Sequence, residues 1–264
     1  MNNAIPKRHP GALGWRSQLP ISHVLVWIDH DSATSGQIER DRTAEAGAAG
    51  DAVRMLFAAE GFPGSFTAED LCMLRDPLGK PYVHWQGEVE QWAAERHYDC
   101  RHLHISNTHD GGAHMILAAY DPRLAGIGID AVHLPRLRGA IRRADYLRRF
   151  ARHFMSQEEF AQFERACADD DEEQLRVRVA AHFSLMESSS KALGTGLKIG
   201  GGMGRPESLP KRSLGVCRTE PGVEWLLDAA ARQRMDQLGA AHLQGYWSAD
   251  HAFLVSVALL WRSI

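Results

Sequence analysis

The 264-residue sequence is poor in cysteine, has no long apolar run and carries no surplus of either charge, and each shortfall removes a class of protein. Cys72, Cys100, Cys167 and Cys217 include no close pair. That excludes a zinc knuckle and a disulfide framework and leaves buried, reduced thiols as the expectation. No apolar stretch approaches the roughly 20 residues needed to cross a bilayer, so no membrane partner is expected. Residues 1–20 carry Lys7, Arg8 and Arg16 but lack the continuous apolar segment of a secretory signal, and read as a loose arm on a cytoplasmic protein. A formal net charge of −3 gives no general drive toward nucleic acid. Gly126-Ile-Gly128 lacks a third spaced glycine, and the glycine-rich stretch 200–204 lacks the Gly-Lys-Ser/Thr ending of a phosphate loop, so neither supports a nucleotide fold. Asp250-His251 near Ser248 has no nucleophile elbow beside it and reads as a polar turn.

What remains is globular. The apolar share of 44% and charged share of 24% allow one compact body or two modest halves. His23-Val-Leu-Val-Trp27 has strand composition, and residues 42–60 then alternate at helical spacing. Turn residues from Asp76 to Gly79 precede Lys80, which Pro81 keeps out of helical geometry. Residues 102–106 and 114–120 read as a hairpin around a polar turn at 107–112, and 124–130 as a strand ending in Asp130. An Arg-rich helix follows with Leu137, Ile141, Ala144, Leu147, Ala151 and Phe154 on one stripe. A long helix runs from about Glu172 to Leu193, with Gly194 placed to end it. A helix near residues 225–238 and an apolar strand over 252–261 close the chain. Asn107-Thr-His-Asp before His114, and Trp247-Ser-Ala-Asp-His before Phe253, are a weak internal echo. Two related halves explain it, and so does any polar turn before any apolar strand.

Three residues could carry chemistry together. Asp130 at a strand end needs a partner if buried: a metal, a cation or a cap. Glu187 and Lys191 lie four apart on the long helix, a spacing that alone describes a surface ion pair of about 0.3–0.5 kcal/mol. As a set they offer two hard oxygen ligands suited to Mg²⁺ and one ammonium for phosphate, with Phe183, Leu185 and Ala192 available to seat the helix. His102, His104, His109 and His114 lack a standard metal-ligand spacing. Arg136, Arg138, Arg142, Arg143, Arg148, Arg149 and Arg152 make a dense basic patch that fits an acidic partner as well as a solvated face.

Gly128-Ile-Asp130, then Phe183-Ser-Leu-Met-Glu187-Ser-Ser-Ser-Lys191-Ala-Leu-Gly194-Thr-Gly-Leu197, with the earlier Gly79-Lys80-Pro81 and Thr108-His109, resemble the signature blocks of the 4'-phosphopantetheinyl transferases, in the same order. The resemblance covers roughly residues 40–260 and is to the surfactin-synthetase-activating type, while 191–197 also resembles the short holo-acyl-carrier-protein synthases. It implies an α+β fold of two pseudo-twofold-related halves, each a small sheet packed with helices, divided here as 21–122 and 123–264 after the 1–20 arm. It implies Mg²⁺ held by Asp130 and Glu187, and transfer of 4'-phosphopantetheine from coenzyme A to a serine of an acyl or peptidyl carrier protein, releasing 3',5'-ADP. By the same resemblance Glu187, Lys191 and Asp130 are catalytic, and Gly79, Lys80, Pro81, Thr108, His109 and Arg42 face coenzyme A, with Arg42 for the 3'-phosphate. Two fused halves would make a monomer sufficient. Two positions depart from the pattern: Val132 stands where many relatives have a third acid, and Met186 where a lysine is usual. If those departures abolish transfer, the alternative is a non-catalytic module binding coenzyme A or a carrier protein. Ser188-Ser-Ser190 is a weak helix-forming run that nothing in the sequence explains.

Overall fold

The structure is a computed structural model that describes residues 19–29, 38–62, 70–75, 80–140, 144–198, 208–210, 212–218 and 222–263, without the side chains of 25–29, 38–48, 140, 198 and 218. Residues 1–18 of the expected 1–20 arm, Gly79, Arg142, Arg143, the glycines of 200–204 and the side chain of Arg42 therefore lie outside the described residues or atoms, whereas Leu19 of that arm is buried in the core between the two central sheets. The first elements are β1 (Ser22–Asp29), α1 (Ile38–Ala59), β2 (Leu71–Arg75), β3 (Pro81–Trp85), α2 (Gly87–Glu95), β4 (Leu103–Asp110) and β5 (Ala113–Tyr120). After β6 (Leu124–His133) come four helices: α3 (Leu134–Ala140), α4 (Ala144–Phe154), α5 (Gln157–Ala166) and α6 (Glu172–Ala192). The chain ends with β7 (Leu197–Lys198), β8 (Leu209–Pro210), β9 (Leu214–Arg218), β10 (Glu224–Leu227), α7 (Ala229–Gln237), β11 (Ala240–Ala249) and β12 (Phe253–Arg262).

Two three-stranded antiparallel sheets, ordered β1-β5-β4 and β11-β12-β6, form the centre of this α+β fold. Each joins one early strand to the second arm of a later hairpin: β1 to β5, and β6 to β12. The connectivity repeats, and the two echoed segments run into the turns of the two hairpins.

Period-two side-chain alternation assigns the faces. Met115, Leu117 and Ala119 of β5 meet Ile127 and Ile129 of β6 and Val255, Val257 and Leu259 of β12 in a core between the sheets. The opposite face of the first sheet, through Ile105, Ile116 and Ala118, packs on Val53, Leu56 and Phe57 of α1 and on Trp92 of α2. The opposite face of the second sheet is covered by α6, which begins in a capping box between Asp171 and Gln174. It ends at Gly194, whose φ of +70° suits glycine and whose N–H reaches the Lys191 carbonyl at 2.9 Å.

Several elements differ from the sequence reading. Strand β4 runs through the expected polar turn to Asp110, because His104, Ser106, Thr108 and Asp110 alternate as its buried face. Strand β6 continues past Asp130 to His133, so the acid lies within the strand and not at its end. The Arg-rich stretch forms α3 and α4 and is followed by α5, capped by Ser156 and Glu159. Trp225 belongs to β10, not to the last helix, which starts at Ala229 behind the Asp228 cap. Of the four thiols only Cys167 is buried; Cys72 is exposed, and Cys100 and Cys217 are half-buried.

Candidate active site

The site is built on one face of β6, where period two places Gly126, Gly128, Asp130 and Val132 in a row. A Cβ at Gly126 would stand 2.1 Å from the Ala192 carbonyl oxygen, and one at Gly128 1.8 Å from that of Ser188. Only hydrogen fits, so the backbone of α6 rests directly on the strand. The serine run acquires its reason here. Ser184 and Ser188 share the hydroxyl of Ser256 on β12, at 2.8 and 3.0 Å, and all three are fully buried. Ser190 donates to the Glu187 carbonyl at 2.8 Å. Small side chains sacrifice helix propensity to let helix and sheet approach; the hydroxyls of Ser184 and Ser188 find a partner across the contact, Ser190 bonds within the helix, and the buried Ser189 hydroxyl has no partner among the described residues.

At that separation α6 delivers its chemistry to β6. Lys191 Nζ donates to Asp130 Oδ1 and to the Ile129 carbonyl, both at 2.9 Å. Thr108 Oγ1, arriving from the first sheet, donates to the same Oδ1 at 3.1 Å. Both bonds fall on one oxygen and leave Asp130 Oδ2 for another cation or donor. Glu187 lies one turn from Lys191. Burial pushes its carboxyl up to about 7, the Asp130 charge pushes the same way, and the Lys191 ammonium opposes them.

Lys191 also lines a cleft of about 290 Å³. Lys80 and Pro81 enter it from the start of β3, and Thr195 and Gly196 from the turn that ends α6. The Lys80 Cδ would be 3.6 Å from a Cβ at Gly194, which brings its stem over the end of the helix. Of the residues read from the sequence, Lys80, Pro81 and Lys191 line the cleft, while Asp130 is bonded to Lys191, Thr108 to Asp130, and Glu187 feels the charges of both Asp130 and Lys191. His109 is exposed on β4, its ring 6.5 Å from that of His114, and is not among the cleft's lining residues. Arg75, Ser106, Asn107 and Ser208 line the cleft without having been read as site residues. Ser106 is the one with a signal, since it continues the polar alternation that ends at Asp110.

The two departures land differently. Val132 packs under α6 against Ala180, Ala181 and Leu254, so nothing polar reaches the site from that position. Met186 is fully buried with Leu147, Phe154 and Val179, on the face of α6 that meets α4 and α5. The basic patch is engaged locally: Arg136 pairs with Asp110, Arg138 with Glu173, Arg148 with Glu164, and Arg149 and Arg152 lie over the rings of Tyr146 and Phe160.

Glu187, raised first by burial and then by the Asp130 charge, forms with Asp130 a pair of carboxylates suited to a hard divalent cation. Asp130 and Glu187 would hold it, and water or phosphate oxygens would complete its shell. Among the described residues no group of three or more His, Cys, Asp or Glu is arranged to hold a metal.

Residues 126–249, which contain Asp130, Glu187 and Lys191, match the family model of the 4'-phosphopantetheinyl transferase superfamily. No curated protein matches the chain. Among solved structures, a holo-(acyl-carrier-protein) synthase from Neisseria meningitidis aligns at 22% identity over 52% of this chain and 98% of its own, with a TM-score of 0.38. One from Helicobacter pylori, in complex with coenzyme A, aligns at 23% over 51% and 98%, with a TM-score of 0.35. An acyl carrier protein synthase from Plasmodium yoelii with ADP bound aligns at 17% over 53% and 97%, with a TM-score of 0.40. At such identities and TM-scores these likenesses are too distant to carry function.

Proposed function

We propose, on the premise that residues 126–249 make this chain a transferase of the 4'-phosphopantetheinyl transferase superfamily, that it moves 4'-phosphopantetheine from coenzyme A to a serine of an acyl or peptidyl carrier protein. What supports the reading most is the Lys191–Asp130 pair, with the raised Glu187 carboxyl coupled to both, beside a cleft that Lys191 and Lys80 line.

In this reading the serine Oγ bonds to the β-phosphorus as the bond to 3',5'-ADP breaks. Lys80 and Lys191 hold the negative charge of the phosphates in the cleft. Glu187, raised to about 7, is matched to accepting the serine proton near neutral pH. Mg²⁺, bound by Asp130 and Glu187, would neutralise charge on the pyrophosphate. Pro81 shapes the cleft wall beside Lys80, and Thr108 supports Asp130. His109, Gly79 and Arg42 retain the nucleotide contacts that the resemblance implies.

The division at 122/123 and a monomeric, cytoplasmic enzyme belong to the same reading. Both halves of one chain supply the site, so a second copy adds nothing that the chemistry requires. The partner is the acidic helix surface of a carrier protein. The arginines of α3 and α4 offer it less free charge than their number implies, since the described ones already have partners within the chain.

Intact-mass spectrometry of apo carrier proteins incubated with the chain, coenzyme A and Mg²⁺ tests the reading. A gain the size of phosphopantetheine is expected, falling by roughly 10²–10⁴-fold in Glu187→Gln and at least as far in Asp130→Ala. Coenzyme A binding without transfer to any carrier would replace the enzyme by a binding module.

A further inference from the structure

We infer that Thr108 is a positioning residue whose hydroxyl, supplied by the first half, fixes the Asp130 carboxylate for cation binding; the inference rests on the function proposed above. The role follows from the seam between the sheets. Both β4 and β6 are edge strands, so each presents a row of backbone groups in need of partners. They are joined by a polar strip on β4 that recurs every second residue. Ser106 Oγ accepts the Ile129 N–H at 3.0 Å, and Asp110 Oδ2 accepts the His133 N–H at 2.8 Å. Those two side chains stand in for a ladder and account for themselves structurally.

Thr108, between them, does something else. It is buried, and its hydroxyl is directed to a side chain, Asp130 Oδ1, at 3.1 Å. With Lys191 on the same oxygen at 2.9 Å, two donors pin one end of the carboxylate and set the direction of the other. This matters more here than where a third acid is present. Val132 contributes no oxygen, so a cation has two protein carboxylates to hold it, and a swing of either removes half of that grip. Lys191 alone cannot do the positioning, because its ammonium also serves the Ile129 carbonyl and faces the cleft, where phosphate would compete for it. Thr108 makes its bond from a strand fixed on both sides and does not line the cleft.

The test is calorimetric titration of the full chain with Mn²⁺ alone, without coenzyme A or carrier, for the wild type, Thr108→Val, Thr108→Ser and Asp130→Ala. Valine keeps the shape and removes the donor. Mn²⁺ affinity is expected to fall roughly 10-fold or more in Thr108→Val, with an unchanged melting profile, and to return to the wild-type value in Thr108→Ser. Equal affinity in wild type and Thr108→Val would overturn the inference and leave the proposed function standing, as would equal loss in the valine and serine variants, which would mark a packing effect. If Asp130→Ala binds Mn²⁺ like the wild type, or the wild type binds none, the carboxylate site itself fails and the inference falls with it. Should Thr108→Val not fold, Thr108→Cys, with a weaker donor in nearly the same volume, takes its place with an intermediate loss expected.

Discussion

The two sheets have the same connectivity and differ in what their first strand places beneath a helix. Strand β1 carries His23-Val-Leu-Val-Trp27, and the helix over its sheet, α1, is held at side-chain distance through Val53, Leu56 and Phe57. Strand β6 carries Gly126-Ile-Gly128-Ile-Asp130, and α6 lies on it backbone to backbone. The spacing decides the outcome. Side-chain packing makes a scaffold, whereas glycine packing lets Glu187 and Lys191 of the helix reach an acid on the strand. The first half then lends what its geometry can still supply: Thr108 from a strand edge and Lys80 from the residue before β3.

The most direct way to break this comparison is to give the second half a side chain where it has none. In Gly128→Ala the new methyl would overlap the Ser188 carbonyl oxygen at 1.8 Å and the Ala192 nitrogen at 2.8 Å, both backbone atoms that cannot rotate aside. Helix α6 must lift. A destabilisation of about 3 kcal/mol or more is expected by urea unfolding, together with loss of transfer in the mass assay, because Lys191 and Glu187 leave Asp130. A mild effect on both would mean that the close approach does not create the site.

A second test uses the raised carboxyl of Glu187. Its value in the fold is about 7 against an ordinary 4.5, so the native state keeps this proton to higher pH than the unfolded chain does. The sign follows: Glu187 lowers stability progressively as pH rises from about 4.5 to 7, and the full cost, up to about 3 kcal/mol, is present above that range. Glu187→Gln is therefore expected to match the wild type in urea at pH 4 and to exceed it at pH 8. Cation binding favours the ionised form, so adding Mg²⁺ narrows the difference. Transfer should rise through pH 7 in the wild type, and the rise should move to lower pH as Mg²⁺ is increased.

The sequence carried the site's members more clearly than its architecture. Asp130, Glu187 and Lys191 stood out because Gly128-Ile-Asp130 and the run from Phe183 to Leu197 resemble the signature blocks of one family, where spacing alone described a capped acid and a surface ion pair. The long helix and the last strand were visible from periodicity and from Gly194, whose positive φ matches its expected place. Strand β4 was cut short because Ser106, Thr108 and Asp110 look like turn residues until a neighbouring strand edge supplies their partners. Strand β10 and the start of α7 were merged because the apolar run from Trp225 to Leu227 leads almost directly into Ala229-Ala-Ala231, and only the Asp228 cap separates the two. Ser188-Ser-Ser190 was opaque for the same reason as β4: its cause, Gly128 and Ser256, lies 60 or more residues away in sequence.

A gentler change sharpens the comparison at that serine contact. Ser256 is fully buried between Ser184 and Ser188. In Ser256→Ala, Ser188 keeps its bond to the Leu185 carbonyl at 3.1 Å, while Ser184 loses its hydroxyl partner. The cost should be that of one unsatisfied buried group, about 1–2 kcal/mol in chemical denaturation, with transfer retained, because the glycine contacts that seat α6 are intact. Loss of transfer comparable to Gly128→Ala would shift the seating of the helix from the glycines to the hydroxyls.

The smallest effect comes from repeating the glycine-to-alanine change where nothing opposes it. Gly139 lies on α3, in the same half as Gly128, and a Cβ there meets no described atom within 4 Å. Gly139→Ala removes backbone freedom from the unfolded chain and adds helix propensity, so a gain of about 0.5–1 kcal/mol is expected, read as a small rise in melting temperature with transfer unchanged. The two alanines differ by one variable, what the added methyl touches, and their opposite signs isolate it. If Gly139→Ala also destabilised the fold or abolished transfer, the sensitivity of Gly128 would reflect a general intolerance of this region to change and not the backbone contact between α6 and β6.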